Sequence, residues 1–475
     1  MNDRQYYLDR FGVSEQQLRS LVAEGMKGGG DWCDLFFEDS TYTELLLRDG
    51  TVNAAVSNID FGCGVRVLKG EKTGYAYAET TEYPALLKAA KAAATIGSCP
   101  GAAAHKAGAP TPLPPAGEYY RIDEDWRTAK AAAFVPMLEL LESRIRKKDS
   151  RVFKVISMLN GNVSEVMMYN SLDELTFDTR PLWTLAVTVI FTKDGRTETQ
   201  SVSRSFRSGA EAVTAEAMEG IADMAVKGVD LLFEASRPKG GQMPVVMAAG
   251  ASGILLHEAM GHAFEADFNR KGQSIFSGRM GKRVAAKGIN IIDDGTIPGN
   301  RGSCRYDDEG VPGQKTYMVE DGILRSYLHD RISAAYFGVA PTGNGRRESF
   351  RYNPIPRMRC TYMESGNDGS VEDLIAGVKK GIFVDQFSNG QVKIGEGDFT
   401  FYVKSGMLIE NGRLTMPVKD INIIGNGPEA LAGITAVAGD LKIDDSGWTC
   451  GKEQSVPVGC GIPSVLIKKL TVGGE

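Results

Sequence analysis

Turn-forming residues are the feature of this 475-residue sequence that most constrains its fold. Glycine occurs 56 times, and four two-residue pairs separate strand-like runs: Asp194-Gly195, Asp321-Gly322, Asn389-Gly390 and Asn411-Gly412. Such pairs favour type I′ turns, which join adjacent antiparallel strands. Because helical segments flank groups of hairpins instead of alternating with single strands, the sequence predicts an α+β fold of antiparallel β-sheets with flanking helices.

Two Pro- and Gly-rich stretches, 108–118 and 236–242, divide the chain into three segments. They predict an N-terminal α+β segment over residues 1–110, a second α+β segment over 111–237, and a glycine-rich, strand-rich catalytic domain over 238–475. The first two segments both run from a helix through several strands to another helix. This shared order indicates an internal duplication and is compatible with one structural domain made from both.

Charge and composition exclude some classes of partner. The net charge is −6 with a pI of about 5.6, and the sequence has no long Lys/Arg run, which argues against nucleic acid or a membrane surface as the main partner. The longest uncharged run begins at Met243 and is too short to span a bilayer. Seven scattered cysteines without C-x-x-C spacing, and no signal peptide, predict reduced thiols and a cytoplasmic protein.

The segment "ILLHEAMGHAFEADF", residues 254–268, contains two of the four histidines. His257 and His262 are five residues apart, one more than in the H-E-x-x-H zinc motif. On a regular α-helix that step leaves the two side chains about 140° apart and about 7.5 Å along the axis, so they would not share a metal. A π-type turn brings residues five apart onto one face, and Gly261 is where a helix widens most easily. We therefore expect α-helix over 254–256 and a π-type distortion centred on Met260-Gly261.

A catalytic zinc site needs a third protein ligand in addition to two histidines. The sequence offers His329, Glu265, Asp267 and the two late cysteines, Cys450 and Cys460, and spacing alone does not decide among them. The alternative interpretation is that the two histidines are ordinary core residues with hydrogen-bond partners. The apolar character of the segment requires buried partners for both, and a metal would satisfy both at once.

Several motifs give the chain a resemblance to a known family, over nearly its whole length. These motifs are "GVRVLKGEKTGYAYA", "LLHEAMGHAFEADFNRKG", "DDGTIPGNRGSCRYDDEGVPGQ", "PTGNGRRES" and "CGKEQSVPVGCGIPSVLIKKLTVGG". The sequence resembles the TldD/PmbA proteins, named historically as modulators of DNA gyrase, and specifically the TldD branch of metalloproteases. That branch has H-E-x-x-x-H, which its PmbA or TldE sister branch lacks.

The resemblance implies a zinc metallopeptidase that cleaves peptides or unfolded proteins. It implies one Zn²⁺ ion held by His257, His262 and Cys450, with Glu258 as the general base and Cys460 as a structural residue. It also implies a partner, either a PmbA/TldE-like sister subunit or a second copy of the chain. Asp267, Arg346 and Arg347 are further candidates, for supporting a ligand or binding substrate.

Three other functions remain open at this stage. Cys450 could be the nucleophile of a cysteine hydrolase, with His257 or His262 as its base. The chain could instead be a regulator that binds gyrase or DNA, which its acidic balance disfavours. It could also be a non-catalytic scaffold subunit, which the complete set of His, Glu and Cys residues disfavours.

Overall fold

A computed structural model describes residues 3–98 and 114–474 of the chain. Within these ranges helices alternate with groups of mainly antiparallel strands, so the predicted α+β class is confirmed. None of the helices in the described ranges is long and apolar enough to cross a membrane. Part of the predicted linker 108–118, and Cys99, lie outside the described residues.

The helices are short except for those that cover the first sheet. Their bounds are α1 Arg4–Phe11, α2 Glu15–Met26, α3 Tyr83–Ala94, α4 Val135–Lys148, α5 Ala215–Val226, α6 Val229–Glu234, α7 Ile254–Leu256, α8 Ala266–Arg270, α9 Arg331–Phe337, α10 Val371–Ala376 and α11 Gly427–Ala432. Local sequence explains their starts. Ser14, for example, begins α2 with a capping box, in which its hydroxyl and the Gln17 side chain each accept from the other's backbone N–H.

Strands make up most of the rest of the described chain. Their bounds are β1 Trp32–Arg48, β2 Thr51–Lys69, β3 Lys72–Ala78, β4 Val152–Asn170, β5 Leu175–Lys193, β6 Arg196–Phe206, β7 Gly241–Met247, β8 Ile291–Asp294, β9 Lys315–Glu320, β10 Ile323–Leu324, β11 Gly345–Arg346, β12 Ile355–Pro356, β13 Cys360–Met363, β14 Lys380–Val392, β15 Asp398–Glu410, β16 Arg413–Val418, β17 Ile421–Asn426, β18 Ile434–Val437, β19 Lys442–Asp444, β20 Thr449–Lys452, β21 Gln454–Pro457, β22 Gly459–Ile462 and β23 Val465–Val472.

One six-stranded antiparallel sheet contains all the strands that precede residue 207. Its order is β3-β2-β1-β4-β5-β6, so the pairing of β1 with β4 joins two three-stranded halves. Each half has the order helix, three strands, helix: α2 to α3 in the first and α4 to α5 in the second. This repeated order is what an internal duplication would produce.

The strands of this sheet are much longer than the sequence suggested. In the sequence, the runs "RVFKVISML" and "SEVMMYNS" are typical of two separate strands, but both belong to β4, which has 19 residues. Their interpretation as two strands was wrong because the polar residues between them, near Asn160 and Asn162, remain paired with β1 and β5. On β5 the buried residues alternate, as in Leu185, Val187 and Val189, and they face the core formed with α4 and α5.

The C-terminal part contains two larger sheets and two small hairpins. The first sheet has the order β10-β9-β8-β13-β22-β19, and the second has β14-β7-β23-β17-β15-β16. Most neighbours are antiparallel, whereas β13 with β22 and β14 with β7 are parallel pairs. Strand β7 lies between β14 and β23 inside the largest hydrophobic core, and the chain leaves its end towards the two histidines.

Three of the four predicted two-residue turns are confirmed. Asp194-Gly195, Asp321-Gly322 and Asn411-Gly412 all have positive φ at both positions and connect paired strands. The prediction for Asn389-Gly390 was wrong, because this pair lies inside β14 and the chain turns at 393–397 instead.

Candidate metal centre

The histidine segment is a helix whose type changes twice in eleven residues. The α-helical turn α7 is followed by a π-helical turn over His257–Gly261 and a 3₁₀ turn over His262–Phe264. The His262 backbone N–H donates to the His257 carbonyl, which is the i→i+5 bond of a π-helix. The predicted π-type distortion is therefore confirmed, and the extra residue between the histidines is accommodated in this turn.

Gly261 is the last residue of the π-turn. Its φ is −56°, an ordinary helical value, so no left-handed backbone conformation requires a glycine here. A Cβ atom at this position would lie 2.0 Å from the sulfur of Met358, which is fully buried. The glycine therefore makes room for a core side chain beneath the π-turn.

The π-turn brings both imidazoles to one thiol. Cys450 Sγ lies 3.1 Å from His257 Nε2 and 3.2 Å from His262 Nε2. One donor atom from each of the three residues lies within 4.8 Å of the others, and all three side chains are buried. A tetrahedral zinc with bonds of roughly 2.0–2.3 Å separates its ligand atoms by about 3.3–3.6 Å. The two nitrogen–sulfur distances fit such an ion after shifts of a few tenths of an ångström.

Cys450 comes from the small hairpin of β20 and β21, far from the histidines in sequence. Arg357, whose side chain is fully buried, holds this hairpin. Its Nη2 donates to the Cys450 carbonyl at 2.6 Å and its Nη1 to the Gln454 carbonyl at 2.8 Å. These bonds fix the strand that carries the thiol while leaving the sulfur directed at the histidines.

The electrostatics of the site favour the thiolate form of Cys450. Burial raises the pKa of this thiol, but the neighbouring His257 and His262 lower it more, and the result is a pKa of about 4. A thiolate is the form in which cysteine binds metals and also the form in which it attacks carbonyl groups. The same arrangement therefore suits a metal ligand and a nucleophile.

Glu265, which the sequence offered only as a possible third ligand, instead supports His262. Its Oε2 lies 3.0 Å from His262 Nδ1, on the opposite side of the ring from Cys450. With the Nδ1–H donating to this carboxylate, Nε2 keeps its lone pair towards the thiol. Such carboxylate–histidine pairs orient metal ligands in many sites. The spacing His262 to Glu265 was the available signal, because side chains three apart on a helical turn are neighbours.

A lysine bridges the carboxylates of Glu265 and Asp267. Lys452 Nζ lies 3.0 Å from Glu265 Oε2 and 2.8 Å from Asp267 Oδ1. Burial raises the pKa of Glu265, but Lys452 and His262 lower it more, to about 2. Asp267, a predicted supporting residue, thus contacts Lys452, and its link to His262 runs through Lys452 and Glu265.

Glu258, His329 and Cys460 lie apart from the group of three donors. The Glu258 side chain is half-buried and makes no hydrogen bond or ion pair with any residue of 3–98 or 114–474. His329 is buried against Tyr327 and Phe337, and burial lowers its pKa to about 4. Cys460 is buried in β22, where burial and nearby acids, including Glu258, raise its pKa well above the usual value.

The predicted candidates Arg346 and Arg347 are both buried and bind backbone. Arg346 donates to the Met358 carbonyl at 2.6 Å and the Pro457 carbonyl at 2.7 Å. Arg347 donates to the Asp308 carbonyl at 2.8 Å, and its guanidinium lies 4.2 Å from the centre of the Phe36 ring. Neither contacts the three donors, and a role in substrate binding stays a prediction.

Comparison with known proteins places this geometry in a family. Models of the PmbA/TldA metallopeptidases match in order along the chain: domain 1 at residues 33–97, the central domain at 124–230 and the C-terminal domain at 240–474. The metalloprotease TldD homolog of Haemophilus influenzae is 39% identical over 451 residues, which are 94% of this chain and 93% of that protein. The chain belongs to the PmbA/TldD metallopeptidase family.

Other PmbA/TldD relatives agree with the assignment, and the predicted resemblance is confirmed. The TldD homolog of Buchnera aphidicola from Acyrthosiphon pisum is 35% identical over 470 residues, or 97% of this chain and 96% of that protein. A zinc metalloprotease TldD homolog of Saccharolobus solfataricus is 37% identical over 243 residues, or 51% and 54%. The last name is the one among these that specifies zinc.

Solved structures share the PmbA/TldD fold at low sequence identity. A structure named as a modulator of DNA gyrase, from Thermotoga maritima, has a TM-score of 0.75 at 23% identity and covers 97% of this chain and all of that one. TldE from Thermococcus kodakarensis has a TM-score of 0.73 at 20% identity and covers 96% of this chain and all of that one. At these identities the likeness concerns the fold.

Proposed function

We propose that the protein is a zinc-dependent metallopeptidase that cleaves peptides or unfolded proteins. The observation that carries the proposal is the convergence of two imidazole nitrogens and one thiolate sulfur, all buried, at separations that suit a single tetrahedral ion. Three protein donors leave one coordination position for water or substrate, as in catalytic zinc sites. Membership in a metallopeptidase family supports the same activity.

His257, His262 and Cys450 are the residues that would hold one Zn²⁺ ion. Both histidines present Nε2, and the Cys450 pKa of about 4 supplies the thiolate at neutral pH. A zinc ion in this position supplies Lewis acidity, which polarises a substrate carbonyl and makes water a stronger acid. Glu265 keeps His262 in the tautomer that has its lone pair directed inwards.

Glu258 is the residue we propose as general base. It lies in the π-turn directly after His257, it is half-buried, and no hydrogen bond to a described residue occupies its carboxylate. A carboxylate in this position accepts a proton from the attacking water and returns it to the amine that leaves. The neighbouring acid Glu265 cannot take this role, because His262 and Lys452 already engage its Oε2.

The family and the shape of the fold support the proposed substrate class and partner. A strand-rich domain can bind an extended peptide along a sheet edge. The similarity in fold to a TldE protein supports a sister subunit of that type as a partner, with a homodimer as the alternative. The six described cysteines form no disulfide, in keeping with the cytoplasmic location that the sequence predicts.

A cysteine hydrolase is the second candidate, and the observation in its favour is the low pKa of Cys450 beside two histidines. One experiment separates the two. The purified chain is analysed for metal, and cleavage of an unfolded protein is measured after exhaustive chelation, after zinc is restored, and after thiol alkylation, each with and without a TldE-like subunit. Loss of cleavage on chelation and recovery with zinc support the metallopeptidase. Activity that survives chelation and disappears on alkylation would replace it with the cysteine hydrolase.

A further inference from the structure

One cavity of the molecule is lined by none of the three metal donors. It measures about 630 Å³ and opens between the six-stranded sheet and the segments 346–359 and 455–457. Six arginines line it: Arg180, Arg207, Arg346, Arg347, Arg351 and Arg359. A concentration of guanidinium groups of this kind indicates a site with an excess of positive charge.

Three of these arginines have acidic partners and three have none. Arg180, Arg347 and Arg351 each have a carboxylate oxygen within 4.0 Å, from Asp308, Asp34 and Asp60 respectively. No carboxylate of the described residues lies within that distance of the guanidinium groups of Arg207, Arg346 or Arg359. We call these three the unpaired arginines.

All three unpaired arginines are buried, and two of them retain a nitrogen without a hydrogen-bond partner in the described chain. Their exposed fractions are 7%, 3% and 3%. Arg207 Nε and Arg359 Nη2 have no hydrogen-bond partner among the described residues. The hydrogen bonds that these three guanidinium groups do make go to backbone carbonyls, such as those of Pro181, Gly343 and Met358. Burying a cation with unsatisfied donors is costly, and an anion bound between the three would remove that cost.

A fourth buried arginine adds to the positive charge from outside the cavity lining. Arg301 is 5% exposed, and its Nε and Nη1 have no partner in the described chain. Burial and the charge of Arg207 together lower its pKa to about 9. Burial likewise lowers the pKa of Arg346, and Arg359 adds to this effect. Each of these positive charges thus destabilises the others.

The acids that line the cavity are already engaged. Asp308 accepts from Arg180 through Oδ1 and from the Arg347 backbone N–H through Oδ2. Glu38 accepts from Ser40 and the Phe350 N–H, and Glu348 accepts from the Ser455 N–H. These carboxylates therefore hold the cavity walls, and none of them lies within 4.0 Å of the guanidinium groups of the unpaired arginines.

We propose that the cavity binds an oxyanion, a phosphate or a peptide carboxylate, through Arg207, Arg346 and Arg359. Guanidinium groups form paired, planar hydrogen bonds with the oxygens of both groups. The proposal does not depend on the metallopeptidase function.

The oxyanion site is distinct from the metal centre. Cys450 pairs with Val456 in the β20–β21 hairpin, whereas Ser455 and Pro457, which line the cavity, are the residues on either side of Val456. Because successive side chains of a strand point to opposite faces, Ser455 and Pro457 face away from the side that carries Cys450. The β20–β21 hairpin therefore contributes one face to the metal centre and the opposite face to the cavity.

The test measures the thermal unfolding midpoint of the full chain, purified with its metal, at constant ionic strength. One arm uses inorganic phosphate, and the other uses a short peptide with a free C-terminus, compared with its C-terminal amide. We expect a saturable rise of about 3 °C at a ligand concentration near 100 times Kd. A rise in the midpoint with phosphate would show that a free oxyanion is sufficient for binding. A rise only with the free-acid peptide would show that the cavity binds a peptide carboxylate. If neither ligand gives a saturable rise, the proposal is refuted.

Two variants locate the site and one controls for loss of charge. Arg207→Gln and Arg359→Gln should each raise the Kd for the oxyanion by at least about tenfold. Each variant removes an uncompensated charge but also a hydrogen bond to a backbone carbonyl, so the rise on ligand addition is measured from that variant's own midpoint without ligand. Arg325→Gln removes a half-exposed arginine that pairs with Glu320, and it should bind the ligand as the wild type does. Ligand binding that is equally strong in both cavity variants would refute the assignment, even if one of them folds poorly, because the other still reports on the site.

Discussion

The two glutamates of the histidine segment offer a matched test of the metal centre. Glu265→Gln keeps the shape of a side chain that is fully buried but removes its charge. The carboxylate has three cationic or donor neighbours: His262 Nδ1 at 3.0 Å, Lys452 Nζ at 3.0 Å and Arg357 Nε at 3.6 Å. An amide can turn its oxygen to only one side, so its NH₂ group would face a donor on the other.

The expected effect is on metal affinity. Loss of a residue that orients a histidine ligand weakens metal binding by about 10- to 100-fold, or about 1.4–2.7 kcal/mol. Glu258→Gln is the control, because it makes the same chemical change seven residues earlier on a side chain that no described residue engages. It should bind zinc as the wild type does and lose about 10²- to 10⁴-fold in cleavage rate.

Both variants are measured by competition for zinc against a chromophoric chelator at neutral pH, followed by a cleavage assay at saturating zinc. The opposite effects of the two substitutions are the essential outcome. If Glu265→Gln binds zinc with wild-type affinity, its proposed support of His262 is wrong. If Glu258→Gln cleaves at a near wild-type rate, the general base lies elsewhere.

Three further predictions concern the late cysteines, the π-turn and a buried histidine. Cys450→Ala should lose zinc in the same chelator assay, whereas Cys460→Ala should retain it; the reverse result would exchange their roles. Gly261→Ala should destabilise the fold by about 1–3 kcal/mol in urea unfolding, because its Cβ would overlap the buried Met358 sulfur; an unchanged midpoint would contradict that packing. His329 has a folded pKa of about 4, below its unfolded value of about 6.5. Its stabilising contribution is therefore complete above pH 6.5, and the free energy of unfolding falls by about 3 kcal/mol as the pH falls towards 4. The free energy of unfolding should therefore fall more between pH 7.5 and pH 4.5 in the wild type than in His329→Asn. Equal losses in the two proteins would refute this.

Local spacing was enough to predict the least regular part of the molecule. Two histidines five apart on an apolar helix can share a ligand only through a wider turn, and the i→i+5 bond from His262 to His257 provides it. Turn chemistry was similarly reliable where the pair stands at a strand end, as at Asp321-Gly322. It failed at Asn389-Gly390, because pairing with β15 on one side keeps that stretch extended.

Other features depend on contacts between distant parts of the chain, and spacing does not encode these. The choice of Cys450 over Cys460 needs the register of the β20–β21 hairpin, which pairs Cys450 with Val456. Spacing places Glu265 beside His262, but it does not decide whether Glu265 binds the metal or the ring, because that depends on which ring nitrogen faces the thiol. Arg346 gave no signal of burial, since a Gly-rich turn followed by arginines is also typical of an exposed loop.

The position of the third donor has a thermodynamic consequence for the whole chain. Cys450 follows His262 by 188 residues, and a shared ion would tie these two points together as a covalent cross-link does. Closing a loop of that length in the unfolded chain lowers its entropy by an amount equivalent to about 5 kcal/mol at 25 °C. A zinc ion bound as we propose would thus restrain the intervening strands β8 to β19, and its removal should loosen a region much larger than the site itself.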